Sequence, residues 1–223
     1  MNPLIIECNS LLKKSVFQYA FCGGHALDIH LGYVTRPHGD IDISADWEDR
    51  NSIITYMQTK GWTVYEALGE GKIHLIADIY DQRLLKRNIF CVLPDCTFFH
   101  AEPMEDGIYH CDIDHVEQKK LDFVEFLFNT LTDGDFVYSR NSEIRQELDK
   151  AVLYKGDISY LAPEIVLLYK STDLSREENK QDFNTMLYYL TDEGKEWLRS
   201  ALITAFPDGH EWITRLEKKD GIG

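Results

Sequence analysis

No stretch of this chain approaches the ~20 consecutive apolar residues that a membrane-spanning helix needs, so a helical integral membrane protein is excluded. Asn2 to Tyr19 carries Glu7, Lys13 and Lys14 in a helical pattern rather than that of a secretory leader, and a cytoplasmic location is expected. Basic residues are scarce, with 23 Lys and Arg against 38 Asp and Glu and a net charge of −15. Lys119-Lys120 and Lys218-Lys219 are isolated pairs rather than stripes, and so acidic a surface repels a phosphate backbone. A nucleic-acid partner is therefore not expected, whereas a cationic small substrate would be favoured. Cysteine is present without a metal pattern. Cys8, Cys22, Cys91, Cys96 and Cys111 are odd in number, and the Cys91/Cys96 pair has no second pair at zinc spacing, which leaves reduced thiols as the plain reading. With 223 residues, 44% hydrophobic and 27% charged, the chain can bury a full core as one domain or two small ones.

What is there centres on Cys22 to Ser44, CGGHALDIHLGYVTRPHGDIDIS. Gly23-Gly24 follows the apolar run Tyr19-Ala20-Phe21-Cys22, and the stretch closes on Asp40-Ile41-Asp42-Ile43. On a strand, residues i and i+2 share a face about 7 Å apart, so Asp40 and Asp42 project together while Ile41 and Ile43 enter the core. Two such carboxylates can share Mg²⁺, a hard cation that takes oxygen ligands and is completed by substrate phosphates. At the other end, the glycines let backbone approach a phosphate, and a short helix from Ala26 to about Leu31 presents free N–H groups and its positive dipole end. Gly32 reads as the residue that stops this helix. Arg36, in Thr35-Arg36-Pro37-His38, stands near any phosphate held there. Taken singly, a Gly-Gly turn or an Asp-x-Asp strand is commonplace; their order and the sixteen-residue step from Gly24 to Asp40 are far more specific.

These residues resemble the nucleotidyltransferases of the DNA polymerase beta superfamily, and more closely the branch of aminoglycoside and lincosamide nucleotidyltransferases, where a string like GGWAIDxxLGxxTRxHxDID recurs. The matching residues are Gly23-Gly24-His25-Ala26-Leu27-Asp28, Leu31-Gly32, Thr35-Arg36, His38 and Asp40-Ile41-Asp42, with His25 where that branch usually has Trp. The resemblance implies an α+β fold: a polymerase beta-like mixed-sheet core over 1–135 and a helical C-terminal domain over 136–223. It implies transfer of a nucleoside monophosphate from a nucleoside triphosphate to a hydroxyl of a small acceptor, with two Mg²⁺ ions expected and an antibiotic suggested as acceptor. Gly23, Gly24, Arg36 and Lys170 would contact the nucleotide. A non-catalytic nucleotide- or partner-binding protein of the toxin–antitoxin type is the rival from another class, and a metal-dependent phosphohydrolase is a third reading.

A two-metal site calls for a third carboxylate from a neighbouring strand. Asp122 is the first choice, a lone acid between Leu121 and Phe123 with Glu125 nearby; Asp78 and the pair Asp112/Asp114 are rivals.

Along the rest of the chain, apolar spacing predicts helices over 3–18 and 47–60, and extended segments over 62–67 and 89–93. The segment from Lys72 to about Asn88, including Leu84 and Leu85, fits helix or strand. Residues 109–114 and 120–128 are candidates for a hairpin, and 130–160 reads as a boundary from which Tyr138-Ser139-Arg140 could reach the site. Beyond it, Pro163-Glu164 opens a helix well, and Lys170 emerges from that helix's apolar stripe. Helices over 180–190 and 193–205 and a last short one from Glu211 follow. Arg176, Asn179-Lys180-Gln181-Asp182-Phe183 and Gly209-His210-Glu211-Trp212 are similar to the carboxy-terminal part of the same branch.

Overall fold

The computed structural model describes residues 2–83, 88–114, 116–131 with the backbone of Thr132, and 134–217. Leu84 and Leu85 of the ambiguous segment and the Lys218-Lys219 pair lie outside these residues.

In chain order the elements are α1 (Pro3–Leu12), β1 (Tyr19–Phe21), α2 (Gly23–Leu31), β2 (Asp42–Asp46), α3 (Arg50–Thr59), β3 (Thr63–Gly69), β4 (Lys72–Leu75), β5 (Ile89–Val92), β6 (Phe99–Pro103), β7 (Ile108–Ile113), β8 (Phe123–Thr132), β9 (Asp135–Val137), β10 (Arg145–Glu147), α4 (Leu148–Ala151), β11 (Val152–Lys155), β12 (Ile158–Leu161), α5 (Pro163–Lys170), α6 (Glu177–Met186), α7 (Asp192–Ala205) and α8 (Glu211–Glu217). Among the described residues one mixed sheet runs β11-β12-β1-β2-β8-β5-β3-β4-β7-β6, with β9 on β8 and β10 on β9. The architecture is α+β, as the resemblance implies.

Local chemistry sets the boundaries that matter for the site. Asn2 caps α1 by accepting from the Leu4 N–H at 2.9 Å, Pro3 opens it, and Leu4, Ile5, Cys8 and Leu12 bury its inner face. The helix stops at Leu12 rather than running to 18: Val16, which continues the apolar spacing, stands 94% exposed, and Tyr19 belongs to β1. Helix α2 begins at Gly23, earlier than expected, and ends at Gly32, whose left-handed φ of 88° lets its N–H return to Asp28 O at 2.8 Å.

Strand β8 lies near the middle of the sheet, parallel to β2 and antiparallel to β5. Phe123, Val124, Phe126 and Phe128 make it apolar on both faces, which suits a strand covered on both sides. The hairpin expected between 109–114 and 120–128 does not form. Strand β7, whose residues are half-buried or exposed, pairs with β4 and β6 toward the sheet's edge. The ambiguous segment from Lys72 resolves as β4, then irregular chain through Arg83.

Residues 130–160 are not a linker between halves. They contribute β9 to β12, and β12 joins the sheet parallel to β1 with Phe21 opposite Tyr160. The all-helical part starts at Pro163 rather than at 136. Its first helix, α5, buries Ile165, Val166, Leu167 and Leu168 and packs on α2, α6 and α7, which brings the helical part against the first turn after β1. No described helix is long and apolar enough to cross a membrane.

Candidate active site

Strand pairing builds a trio of carboxylates. Ile41 O accepts from Glu125 N at 3.0 Å and Asp42 O accepts from Cys22 N at 2.9 Å, so the start of β2 is held between β1 and β8. In this parallel register Asp42 lies opposite Glu125, and Asp40 stands two residues before Asp42. One oxygen from each of Asp40, Asp42 and Glu125 falls within 4.8 Å of the others. All three are partly exposed at the floor of a cleft, yet enough protein surrounds them to matter electrostatically. Desolvation, with the charges of Asp40 and Glu125 added, raises Asp42 well above the ordinary carboxylate range. Desolvation and the Asp40 charge push Glu125 up to about 7, against the Asn88 amide, which donates to its Oε1 at 2.5 Å. Three crowded carboxylates of this kind could hold a hard divalent cation, which takes oxygen ligands.

Glu125, not Asp122, completes the trio. Asp122 precedes the first residue of β8 and has the opposite strand parity to Glu125, and its carboxyl takes a 3.4 Å hydrogen bond from the Gln118 amide. Burial raises it, with the Gln118 bond working the other way. Asp78 is exposed and accepts from Tyr80 N. Asp112 and Asp114 lie outside the trio, although Asp114 lines the same cleft and pairs with His100 at 3.1 Å.

Gly23 abuts this trio. Its φ is +62°, and a Cβ there would sit 1.9 Å from Asp42 Oδ2; at Gly24 a Cβ would meet the His38 ring at 2.3 Å. Gly23→Ala is accordingly expected to displace the Asp42 carboxylate and lower turnover by on the order of 10²-fold, as ångström misplacement of a reacting group does. Steady-state kinetics beside a melting curve would read this out, and a variant as active as the parent would show that the contact is not needed.

The segment from Gly32 to Asp40 is tied to α2 by Asp28. Its Oδ1 accepts from Thr35 N at 2.9 Å and Thr35 Oγ1 at 2.7 Å, and its Oδ2 lies 2.7 Å from His38 Nε2. Burial would raise Asp28, but these bonds outweigh it and hold the carboxyl below its usual range. Arg36 lines the wider cleft and is engaged there as a strut. Its Nε and Nη2 donate to the two oxygens of Asp182 on α6 at 2.9 and 2.8 Å, joining the glycine-motif segment to the helical part. Lys170 also reaches Asp182, at 2.9 Å, and Asn179 Oδ1, at 3.4 Å. Asp182 is 3% exposed; burial would raise it, yet Arg36 and Lys170 keep it low.

Two openings meet at Asp42 and Lys170. One, of about 270 Å³, is lined by Gly23, Asn129, Arg140, Tyr169, Lys170 and Arg176 among others. The other, of about 400 Å³, contains Gly24, Asp40, Glu125, Asp114, Glu117 and Glu178. Arg140 arrives as its sequence position suggested, with its guanidinium 5.3 Å over the Tyr169 ring and donating to Thr172 Oγ1. Arg176, which adds a cation to both openings, carried no expected role.

The pKa displacement of Glu125 has a consequence for stability. A carboxyl raised in the folded state stabilises the fold fully below its unfolded value and loses that contribution as pH rises through the folded value. Without divalent ions, melting temperature should therefore decline between about 4.5 and about 7, and Glu125→Gln should flatten that decline. Thermal melting in a chelator over this range checks it, and a profile with the same slope in the variant would refute it.

The sequence profile described as aminoglycoside-2''-adenylyltransferase matches residues 4–125. No curated protein matches the chain by sequence. Among solved structures, the solution structure of the antibiotic-resistance factor ANT(2'')-Ia superposes with a TM-score of 0.53 at 14% identity, covering 92% of each chain. The crystal structure of ANT(2'')-Ia with adenylyl-2''-tobramycin gives 0.52 at 15% identity over 91% of this chain and 97% of that one. The lincomycin-bound lincosamide antibiotic adenylyltransferase LnuA gives 0.50 at 17% identity over 82% and 94%. At such identities the likeness is one of fold.

Proposed function

The chain belongs to the aminoglycoside-2''-adenylyltransferase family and is a nucleotidyltransferase, and from that premise we propose how its own residues divide the work. The reading is transfer of a nucleoside monophosphate from a nucleoside triphosphate to a hydroxyl of a small cationic acceptor of the aminoglycoside or lincosamide kind. The observation that carries it is the trio Asp40, Asp42 and Glu125, gathered within 4.8 Å directly beside the Gly23-Gly24 turn. The reading sets the reaction in the cytoplasm, where nucleoside triphosphates are available and the five free cysteines stay reduced.

Asp40, Asp42 and Glu125 would hold Mg²⁺, which when bound supplies positive charge against the triphosphate and the charge that develops during transfer. Gly23 and Gly24 let the phosphates approach the N-terminus of α2, whose first N–H groups lack helical partners and point at the anion. Lys170, Arg140 and Arg176 surround the smaller opening and would neutralise the remaining phosphate charge. The acceptor hydroxyl attacks the α-phosphorus, the bond to the bridging oxygen of the β-phosphate breaks, and pyrophosphate leaves. The hydroxyl proton needs an acceptor, and a carboxylate of the trio, Glu125 in this reading, would receive it. Most of the rate gain then comes from positioning and electrostatics. Asp114, Glu117 and Glu178 line the wider opening and favour an acceptor that carries amines.

Mg²⁺-dependent pyrophosphate release, measured with each of the four ribonucleoside triphosphates and an aminoglycoside and lincosamide panel, tests the proposal. Release that requires both Mg²⁺ and one acceptor class is expected. Failure of every triphosphate to bind, with or without Mg²⁺, would overturn the assignment of Asp40 and Asp42.

A further inference from the structure

Directly after the glycine pair on α2, a second group of ligating side chains begins that has no part assigned in this chemistry. His25 and Asp28 lie three residues apart on one face of α2, His38 approaches from the segment before β2, and one ligating atom from each falls within 4.8 Å of the others. All three residues are buried, His25 to 3% exposure. The Asp28–His38 contact and the Thr35 bonds account for the Asp28 oxygens and for one nitrogen of His38. Nothing accounts for His25 Nδ1, which is buried with no hydrogen-bond partner.

A ring that served only to fill space beside His38, 4.5 Å away between centroids, would need no nitrogen at all. An orphaned buried nitrogen costs about 1–3 kcal/mol, so its retention needs a partner. Two imidazoles and one carboxylate are the donors that zinc-like ions favour, whereas Mg²⁺ takes oxygen ligands. Bonds of about 2.0–2.1 Å set tetrahedral ligand atoms about 3.4 Å apart, so closing on an ion asks for movement of roughly 1 Å, within reach of a side-chain rotation. A cavity of about 230 Å³ lined by His25, Asp28, Gly32, Tyr33 and Lys155 gives an approach path and room for a water as fourth ligand.

We propose that His25, Asp28 and His38 form a binding site for a transition-metal cation of the Zn²⁺ type, separate from the carboxylate trio. The ion would join α2 to the segment that carries Arg36 and Asp40. The proposal does not depend on the reaction assigned to the chain.

The test uses the full chain carrying Asp42→Asn, in excess Mg²⁺, so that the trio does not contribute. Zn²⁺ alone is titrated by calorimetry and by thermal melting, and Co²⁺ is added separately as a spectroscopic probe. One Zn²⁺ per chain is expected, with a melting temperature several degrees higher and a visible Co²⁺ band of low-coordinate nitrogen ligation. On the same background His25→Trp, a ring the related branch accommodates, should weaken Zn²⁺ binding by ~10-fold or more, with its metal-free melting temperature as the check on folding. Zn²⁺ binding unchanged in His25→Trp would overturn the proposal. So would absence of Zn²⁺ uptake, or of imidazole ligation in the Co²⁺ spectrum, in the chain that keeps His25, a result that does not rely on the variant folding.

Discussion

Asp42→Asn is expected to lower nucleotidyl transfer by at least about 10³-fold while raising the melting temperature of the metal-free protein at neutral pH. Both effects follow from one placement. Asp42 sits between Asp40 and Glu125 with a carboxyl that desolvation and two like charges hold well above its normal range. Left without a cation the three must either repel one another or bind protons at a cost, so converting one to an uncharged isostere relieves the fold and, in the proposed reading, removes a ligand at once. Mg²⁺ should reverse the order: the parent, but not the variant, gains stability as the ion is added, by about 2.7 kcal/mol at a hundred times its dissociation constant. Pyrophosphate release and paired melting curves in chelator and in Mg²⁺ measure the three parts. A variant that loses activity and also melts lower without metal would mean that Asp42 holds the fold together rather than a cation.

The second large effect concerns the helical part. Asp182→Ala should destabilise the chain by about 3–5 kcal/mol, because it leaves two largely buried cations without their counter-charge. The side chains of Arg36 and Lys170 are only 16% and 13% exposed, and the Asp182 oxygens lie 2.8 and 2.9 Å from them. For a chain of this length the melting temperature would fall by on the order of 10 °C. Because Arg36 belongs to the segment that carries Asp40, nucleotide affinity should weaken as well. Differential scanning calorimetry with a nucleotide titration reads both, and a fall of no more than a degree or two would show that the contact is incidental.

What the sequence made legible was local. Gly23-Gly24 and Asp40-Ile41-Asp42 could be read because a turn, a short helix and a two-residue alternation use neighbouring residues, and the structure sets the glycines against the Asp42 carboxylate. The carboxylate that completes the observed trio, Glu125, was not local. Its position depends on which residue of β8 falls opposite Asp42, a register between strands some eighty residues apart that no spacing in the sequence reports. Asp122 attracted attention as a lone acid in an apolar run, but β8 is apolar on both faces, so the alternation that would have fixed its phase is missing. Arg36 is similar. Its closeness to the glycine motif was readable, whereas its partner Asp182 lies 146 residues away. Asp182 stood in the quoted Asp182-Phe183 pair without an assigned role. The strands from β9 to β12 are three or four residues long and are set among turns, which made them look like a boundary; pairing with β1 and β8 gives them their place.

The most direct measurement of the central claim compares two conservative changes in one assay. Glu125→Gln and Asp122→Asn are each assayed for Mg²⁺-dependent pyrophosphate release with the preferred triphosphate and acceptor, after circular dichroism has shown both to be folded. Loss of release by about 10³-fold in Glu125→Gln, with Asp122→Asn within a few-fold of the parent, is the predicted result. Turnover at the parent rate in Glu125→Gln would contradict it and return the third carboxylate to the choice that sequence spacing favoured.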